Sequence, residues 1–496
     1  MRLVTALCFL LLAAAPAKAG GMTALVIGIS DYQHVPKLKN TVTDANAIAG
    51  ALRALDFKVE TVLDGSIAQI ESALDRFSFT AETADVALVY YAGHAVEVQG
   101  KNFLIPADAN FASADDIVTR TISLPQILKA AGSARKLRIA ILDACRDNPF
   151  TGLEGVSQAI SSTESDGRAG GGAAGGLAPP SPERGTLVVY SAKDGAVALD
   201  GSGHYSPFAQ ALLAHLPTPD LEVSMMFRRV RDDVLRATQR FQEPHFYGSL
   251  PGVPLFIGGA GNGEPASASA DPRQAWSSVR GDTEAQLIAL ATNGDTRSMI
   301  GLAYMYQDPD GGRFKPEKAA EFLLQAAFEN DSEAQFELAQ AYEKGFGVPQ
   351  DGVKALEWYE RAAENNFADA INELGFLHYS GGLGIRANPE KALKFFQRAA
   401  GLGHPQAMFN YAALIDDGIV PGQSPDDAAA YLYRALRAGS EAVLKELTEN
   451  PTQYKPATLR GLQKRLAEFG FYDAASIDGQ VGPQTKRGIK LAYGAE

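Results

Sequence analysis

Short apolar runs alternate with amphipathic stretches along the first half of the chain. Residues 23–29, 57–63 and 86–91 are apolar runs of strand length, and between them residues 41–55 and 66–77 carry apolar side chains at helical spacing. Residues 137–142 and 186–191 repeat the strand pattern further on. This rhythm predicts an α/β domain with a mainly parallel sheet, assigned to residues 20–258. Between the last two runs, residues 151–183 are rich in Gly, Ala, Ser and Pro, a composition that cannot bury a core and predicts a mobile surface insert. A second stretch of that kind, residues 259–275, reads as a linker.

After the linker the pattern changes to helical and repeats itself. The pairs Lys318-Ala319, Lys354-Ala355, Lys391-Ala392 and Asp427-Ala428 recur at spacings of 36, 37 and 36 residues, with Ala326-Ala327, Ala362-Ala363 and Ala399-Ala400 in phase. A period in that range predicts paired helices stacked as a solenoid over residues 285–445. In the clearest unit Ala334, Leu338 and Tyr342 stand four apart on one helix, residues 345–348 make a glycine turn, and Ala355, Trp358, Tyr359 and Ala362 face inward from a second helix. These residues, with Asp351 and Lys354, resemble the Sel-one-like branch of the tetratricopeptide family, which implies a protein partner recruited by the repeats.

The first residues bear on compartment. Met1 and Arg2, the apolar run of residues 3–15 and Ala17-Lys18-Ala19 have the order of a secretory signal, so residues 1–19 are expected to be removed and the rest to work in the periplasm or cell envelope. The run is shorter than the ~20 residues that span a bilayer, so no stable membrane span is expected. Loss of Cys8 with that segment would leave Cys145 alone, in a compartment where structural cysteines come in pairs. Such a thiol is either a buried core residue or kept for its chemistry. The formal net charge of −13 argues against a nucleic-acid partner, since the chain lacks an overall basic surface.

Candidate chemistry lies in the α/β domain. His94 follows the 86–91 run and Cys145 the 137–142 run, so in a parallel sheet both sit at the carboxyl edge where ligands bind. An imidazole, titrating ordinarily near ~6.5, suits taking a thiol's proton and returning it to a leaving amine. Tyr90-Tyr91-Ala92-Gly93-His94 and Asp143-Ala144-Cys145-Arg146 resemble the two catalytic motifs of the caspase and metacaspase superfamily. Ile27-Gly28-Ile29-Ser30-Asp31-Tyr32 with Leu38 and Asp44-Ala45 is similar to its first strand and helix, and Asn102 to Asp108 to the hairpin after the histidine. Tyr190-Ser191-Ala192 and the run from Asp200 to Phe208 fit bacterial members.

The resemblance implies a cysteine endopeptidase acting on protein or peptide substrates, with Cys145 as nucleophile and His94 as base. The backbone amides of Cys145 and Ala95 would form the oxyanion hole, Ala95 standing where the family usually has glycine. Asp143 stands where metacaspases keep an acid that binds a basic side chain, which implies cleavage after Arg or Lys. Asp143 as a strand-end carboxylate is the alternative, and Asp147 departs from a common glycine. The insert occupies the place of the family's cleaved linker, which makes Arg168 and Arg184 the expected self-cleavage sites. No zinc spacing is present and no metal site is assigned. Some metacaspases need calcium, for which Asp115-Asp116 or Asp232-Asp233 could be proposed, although exposed acids are mostly solvated surface. His34, His204, His215 and His245 read as structural or surface residues. A catalytically inactive caspase-like scaffold is the alternative function.

The last segment carries its own pattern. Leu462-Gln463, Leu466, Gly470-Phe471-Tyr472, Ile477-Asp478-Gly479, Gly482-Pro483 and Thr485 resemble a small helical peptidoglycan-binding domain, assigned to residues 457–496. That implies contact with the cell wall, the alternative being a helical cap on the solenoid.

Overall fold

The structure is a computed structural model that describes residues 21–98, 101–111, 114–145, 185–193, 198–201, 203–250, 254–259, 276 and 281–495. The signal segment, the insert with Arg168, Arg184 at its end, Asp147 and nearly all of the linker lie outside the described residues. The chain divides into two compact units, one built on a sheet and the other all helical.

The sheet unit has the mainly parallel architecture that the alternating pattern predicts. Its strands are Gly21–Gly28 (β1), Phe57–Leu63 (β2), Ala84–Val98 (β3), Lys101–Leu104 (β4), Ile122–Ser123 (β5), Leu137–Cys145 (β6), Thr186–Tyr190 (β7) and His245–Ser249 (β8). The order is β2-β1-β3-β6-β7-β8, parallel except that β8 runs antiparallel to β7. The central strands read as unbroken apolar runs because both faces are covered. On one face Val26, Leu88, Tyr90 and Ile141 pack with residues of Thr41–Ala54 (α1), Pro207–His215 and Val223–Ala237, while on the other Leu25, Val89, Tyr91 and Leu142 pack with those of Ile67–Ala81 (α2) and Leu124–Ala131.

Two strands run further than the hydrophobic pattern suggests. The expectation put His94 and Cys145 beyond their strands; β3 instead continues through His94 to Val98, and β6 ends on Cys145. The cause is pairing: β4 returns antiparallel along residues 95–98, and the β3–β6 register continues to His94 opposite Cys145. Backbone hydrogen bonding to a neighbour extends a strand where side-chain alternation no longer marks it.

The helical unit is a run of paired helices. In the unit read most clearly from the sequence, Ser332–Lys344 ends on Gly345 at φ +70°, and Gly352–Glu364 follows, burying Ala355, Trp358, Tyr359 and Ala362 as expected. Asp331 and Asp351 start these helices by accepting first-turn backbone N–H groups. The array ends in Pro405–Asp417, Pro425–Arg437 and Glu441–Glu449. The tail helices Pro456–Glu468 and Pro483–Tyr493 pack on these instead of standing apart. Tyr433 stacks on Phe469 with ring centroids 5.1 Å apart. Arg437 donates to the Ala492 carbonyl at 3.2 Å, and the buried Asp416 carboxylate accepts from the Lys455 N–H at 3.3 Å and from the Thr458 hydroxyl.

Candidate active site

The site is assembled where β3 and β6 end side by side. Ala92 stands in register with Asp143, Gly93 with Ala144 and His94 with Cys145. Neighbouring strands lie about 4.8 Å apart, so the backbones of His94 and Cys145 are immediate neighbours. The spacing of the two motifs in the sequence thus becomes one row of the sheet.

The His94 imidazole is 5% exposed and held by the loop after β1. Its Nε2 lies 2.8 Å from the Pro36 carbonyl oxygen. A carbonyl only accepts, so this contact requires the proton on Nε2 and leaves Nδ1 as the basic nitrogen. Pro36 was not legible as a site residue, because a backbone carbonyl has no side-chain signature. Ala95, beside His94, is buried with its methyl among the apolar residues of the α2 face. The Ala-for-Gly difference is therefore absorbed by the core.

Asp143 is 7% exposed. Its Oδ2 accepts from the Ser206 hydroxyl at 2.9 Å and the Tyr90 hydroxyl at 3.2 Å. Burial pushes its carboxyl up to about 6, against the lowering effect of hydrogen bonds from Ser206, Ser191 and Tyr90. Asp44, on α1, receives the Ser206 backbone N–H on both oxygens at 3.2 Å. Burial first, then the Asp143 charge, raises Asp44 to about 7. Asp200 adds to the pressure on both, while its own carboxylate accepts the Lys39 N–H at 2.9 Å and the Asn40 N–H at 3.2 Å. The strand-end acid is thus one of a buried pair bridged by Ser206. Asp44 and Ser206 each lay inside a stretch that resembled the family, but nothing in the linear sequence joined them.

Several of the remaining candidates are occupied elsewhere. His215 Nε2 lies 2.8 Å from Asp233, which also pairs with Arg236, and Asp232 pairs with Arg231. Asp116 pairs with Arg120. His204 packs on Tyr205 and His245 on Tyr247, while His34 is exposed. Among the described residues no group of three His, Cys, Asp or Glu side chains could hold a metal ion, and no helix is long and apolar enough to cross a membrane.

Comparison with known proteins assigns both units to families. Residues 22–253 match the Caspase domain family, Peptidase_C14. Residues 296–329, 332–367, 368–404 and 405–440 each match the Sel1 repeat. A caspase domain followed by Sel1 repeats is the organisation of the chain. Among curated relatives, the human mucosa-associated lymphoid tissue lymphoma translocation protein 1 is 34% identical over 125 residues, 25% of this chain and 15% of its own length. Chitin synthase regulatory factor 3 of Schizosaccharomyces pombe is 30% identical over 176 residues, 35% of this chain and 19% of its own. The chain therefore spans less than a fifth of the length of either relative. The crystal structure of a Sel1 repeat protein from Oxalobacter formigenes aligns at 22% identity with a TM-score of 0.33, covering 47% of this chain and 58% of that one.

Proposed function

We propose that this chain is an exported cysteine endopeptidase that cleaves after Arg or Lys through Cys145 and His94. The observation that carries the reading is the row His94–Cys145 at the sheet edge, with the imidazole oriented by the Pro36 carbonyl. In this mechanism Nδ1 of His94 takes the Cys145 thiol proton. The thiolate attacks the scissile carbonyl carbon, and the resulting oxyanion is held by the backbone amides of residues 145 and 95. The tetrahedral intermediate collapses as the C–N bond breaks, and the imidazolium returns the proton to the leaving amine. Water then attacks the thioester, with His94 again taking the proton, and frees Cys145.

The acid pair supports a basic preference. Two carboxylates raised by burial, with the Asp143 charge acting on Asp44 and the Asp200 charge on both, are relieved by a guanidinium or ammonium group, which favours their ionised forms and gains charge-assisted hydrogen bonds. The repeats would recruit a protein partner. The tail, docked on the last repeat helices, serves as a cap, and wall binding by it is a separate proposal that purified sacculi would test by co-sedimentation. Self-cleavage at Arg168 or Arg184 would follow from the same specificity.

The test is hydrolysis of fluorogenic peptides ending in Arg, Lys or Asp by the mature protein, beside Cys145→Ala. Cleavage after Arg or Lys that vanishes in the variant is expected. A folded, reduced sample that cleaves none of them, with or without calcium, sinks the enzyme reading. That outcome would favour the second reading, a caspase-like scaffold, with which the regulatory name of the fission-yeast relative agrees.

A further inference from the structure

Two tyrosines hold the backbone of His94 from opposite polar groups. The Tyr32 hydroxyl accepts the His94 N–H at 2.7 Å, and the Tyr91 hydroxyl shares its one proton between the His94 carbonyl at 2.6 Å and the Ile105 carbonyl at 3.0 Å. The two hydroxyls are 3.5 Å apart. The Tyr32 ring also lies against the imidazole, centroids 4.8 Å apart and tilted by 48°. Both tyrosines are almost fully buried, at 3% and 1% exposure.

The space for this arrangement is made by one residue. A Cβ at Gly93 would lie 2.5 Å from the Tyr32 hydroxyl oxygen and 2.6 Å from that of Tyr91, closer than real Cβ contacts come. Ordinary sheet pairing would not need such contacts. The Ile105 N–H donates to the His94 carbonyl at 3.0 Å, which ties that peptide to the returning chain, while the His94 N–H goes to a side chain four residues beyond β1. Tyr32 and Pro36 belong to the same loop, so one segment fixes both the backbone and Nε2 of the imidazole.

We propose that Tyr32 and Tyr91 are positioning residues for His94, a hydroxyl pair that sets the angle at which the imidazole faces residue 145. The proposal rests on the reading of His94 as the general base. Neither tyrosine touches substrate or exchanges a proton with it; each acts by holding the peptide from which the base projects. Tight placement matters because small displacements of a reacting group lower the rate steeply without weakening ground-state binding.

The experiment compares Tyr32→Phe and Tyr91→Phe with the wild type and His94→Ala, all as full mature chains checked for folding by thermal melting. Two rates are read: kcat and KM on an Arg-ending fluorogenic peptide, and the rate at which iodoacetamide alkylates Cys145 at neutral pH. The expected result is a kcat lowered about tenfold in Tyr32→Phe with KM within about twofold, and an alkylation rate shifted toward that of His94→Ala. Tyr91→Phe should move both in the same direction, and it tests the clamp should Tyr32→Phe not fold. Folded variants with wild-type kcat and wild-type alkylation overturn the proposal, as does a change confined to KM. If the wild type and His94→Ala alkylate alike, the assignment of His94 as base has failed, an outcome distinct from a difference between those two that the tyrosine variants do not share.

Discussion

Asp143 and Asp44 are joined through one residue, Ser206, whose hydroxyl donates to Asp143 at 2.9 Å while its backbone N–H donates to Asp44 at 3.2 Å. Ser206 is also the N-cap of Pro207–His215, its oxygen accepting from the Ala209 N–H. A helix start, a strand end and α1 are thereby tied together around two carboxyls that burial drives toward their neutral forms.

For the proposed cleavage the pair predicts a pH dependence in a definite direction. Burial pushes the Asp44 carboxyl up to about 7 and the Asp143 carboxyl up to about 6, so both are ionised above pH 8 and the pair loses charge as pH falls through that window. KM for an Arg-ending peptide should therefore rise between pH 8 and pH 5.5. Steady-state kinetics across that range would check it, and a KM independent of pH would remove these acids from substrate binding.

Removing a charge should trade binding for stability. A carboxyl whose folded pKa lies above its unfolded value binds more protons when folded, so its ionisation lowers stability as pH rises from about 4 to 7. Asp44→Asn keeps an oxygen for the Ser206 N–H but carries no charge. At pH 8 the variant's Tm should exceed the wild type's by a few degrees, while kcat/KM for Arg peptides falls at least about tenfold, the scale of a lost charge-assisted hydrogen bond. Differential scanning calorimetry and peptide kinetics read the two effects; a lowered Tm would contradict the linkage.

Ser206→Ala removes a cap and a donor at once. Loss of the cap should cost about 1 kcal/mol in stability. Without the hydroxyl that favours its ionised form, Asp143 should titrate still higher. A higher midpoint in the KM profile together with a lower chemical-denaturation midpoint is the expected signature.

Gly93→Ala should lower kcat at least about tenfold while changing KM little. The added methyl cannot coexist with the Tyr32 and Tyr91 hydroxyls where they stand, so His94 loses its placement. Wild-type kcat in this variant would show that the backbone adjusts without consequence.

In the helical unit, Asp416→Ala should loosen the tail. Its buried carboxylate holds the Lys455 N–H and the Thr458 hydroxyl, and leaving those donors unmatched should cost about 1–3 kcal/mol. Hydrogen exchange of Pro456–Glu468 would read the loss, with the sheet unit as an internal reference.

What the sequence determined by itself was local or periodic. Strands and helices of the sheet unit follow from apolar spacing, which depends on neighbours a few residues away. The solenoid follows from alanines and glycines repeating in phase, because each unit solves the same packing problem as the last. His94 and Cys145 were legible as candidates because each lies in a compact motif of chemically distinctive residues. The tertiary structure decided what depends on distant partners. Strands β3 and β6 reach His94 and Cys145 because backbone pairing continues past the apolar runs. Pro36 acts through a carbonyl that every residue possesses, so only its place beside Nε2 marks it. Asp44 becomes part of the acid pair because α1 brings it to Ser206, 162 residues away along the chain, and burial shifts both carboxyls. Hydrophobic periodicity specifies which face of an element is covered, whereas the partner that covers it, and the electrostatic environment this creates, exist only once the chain has folded.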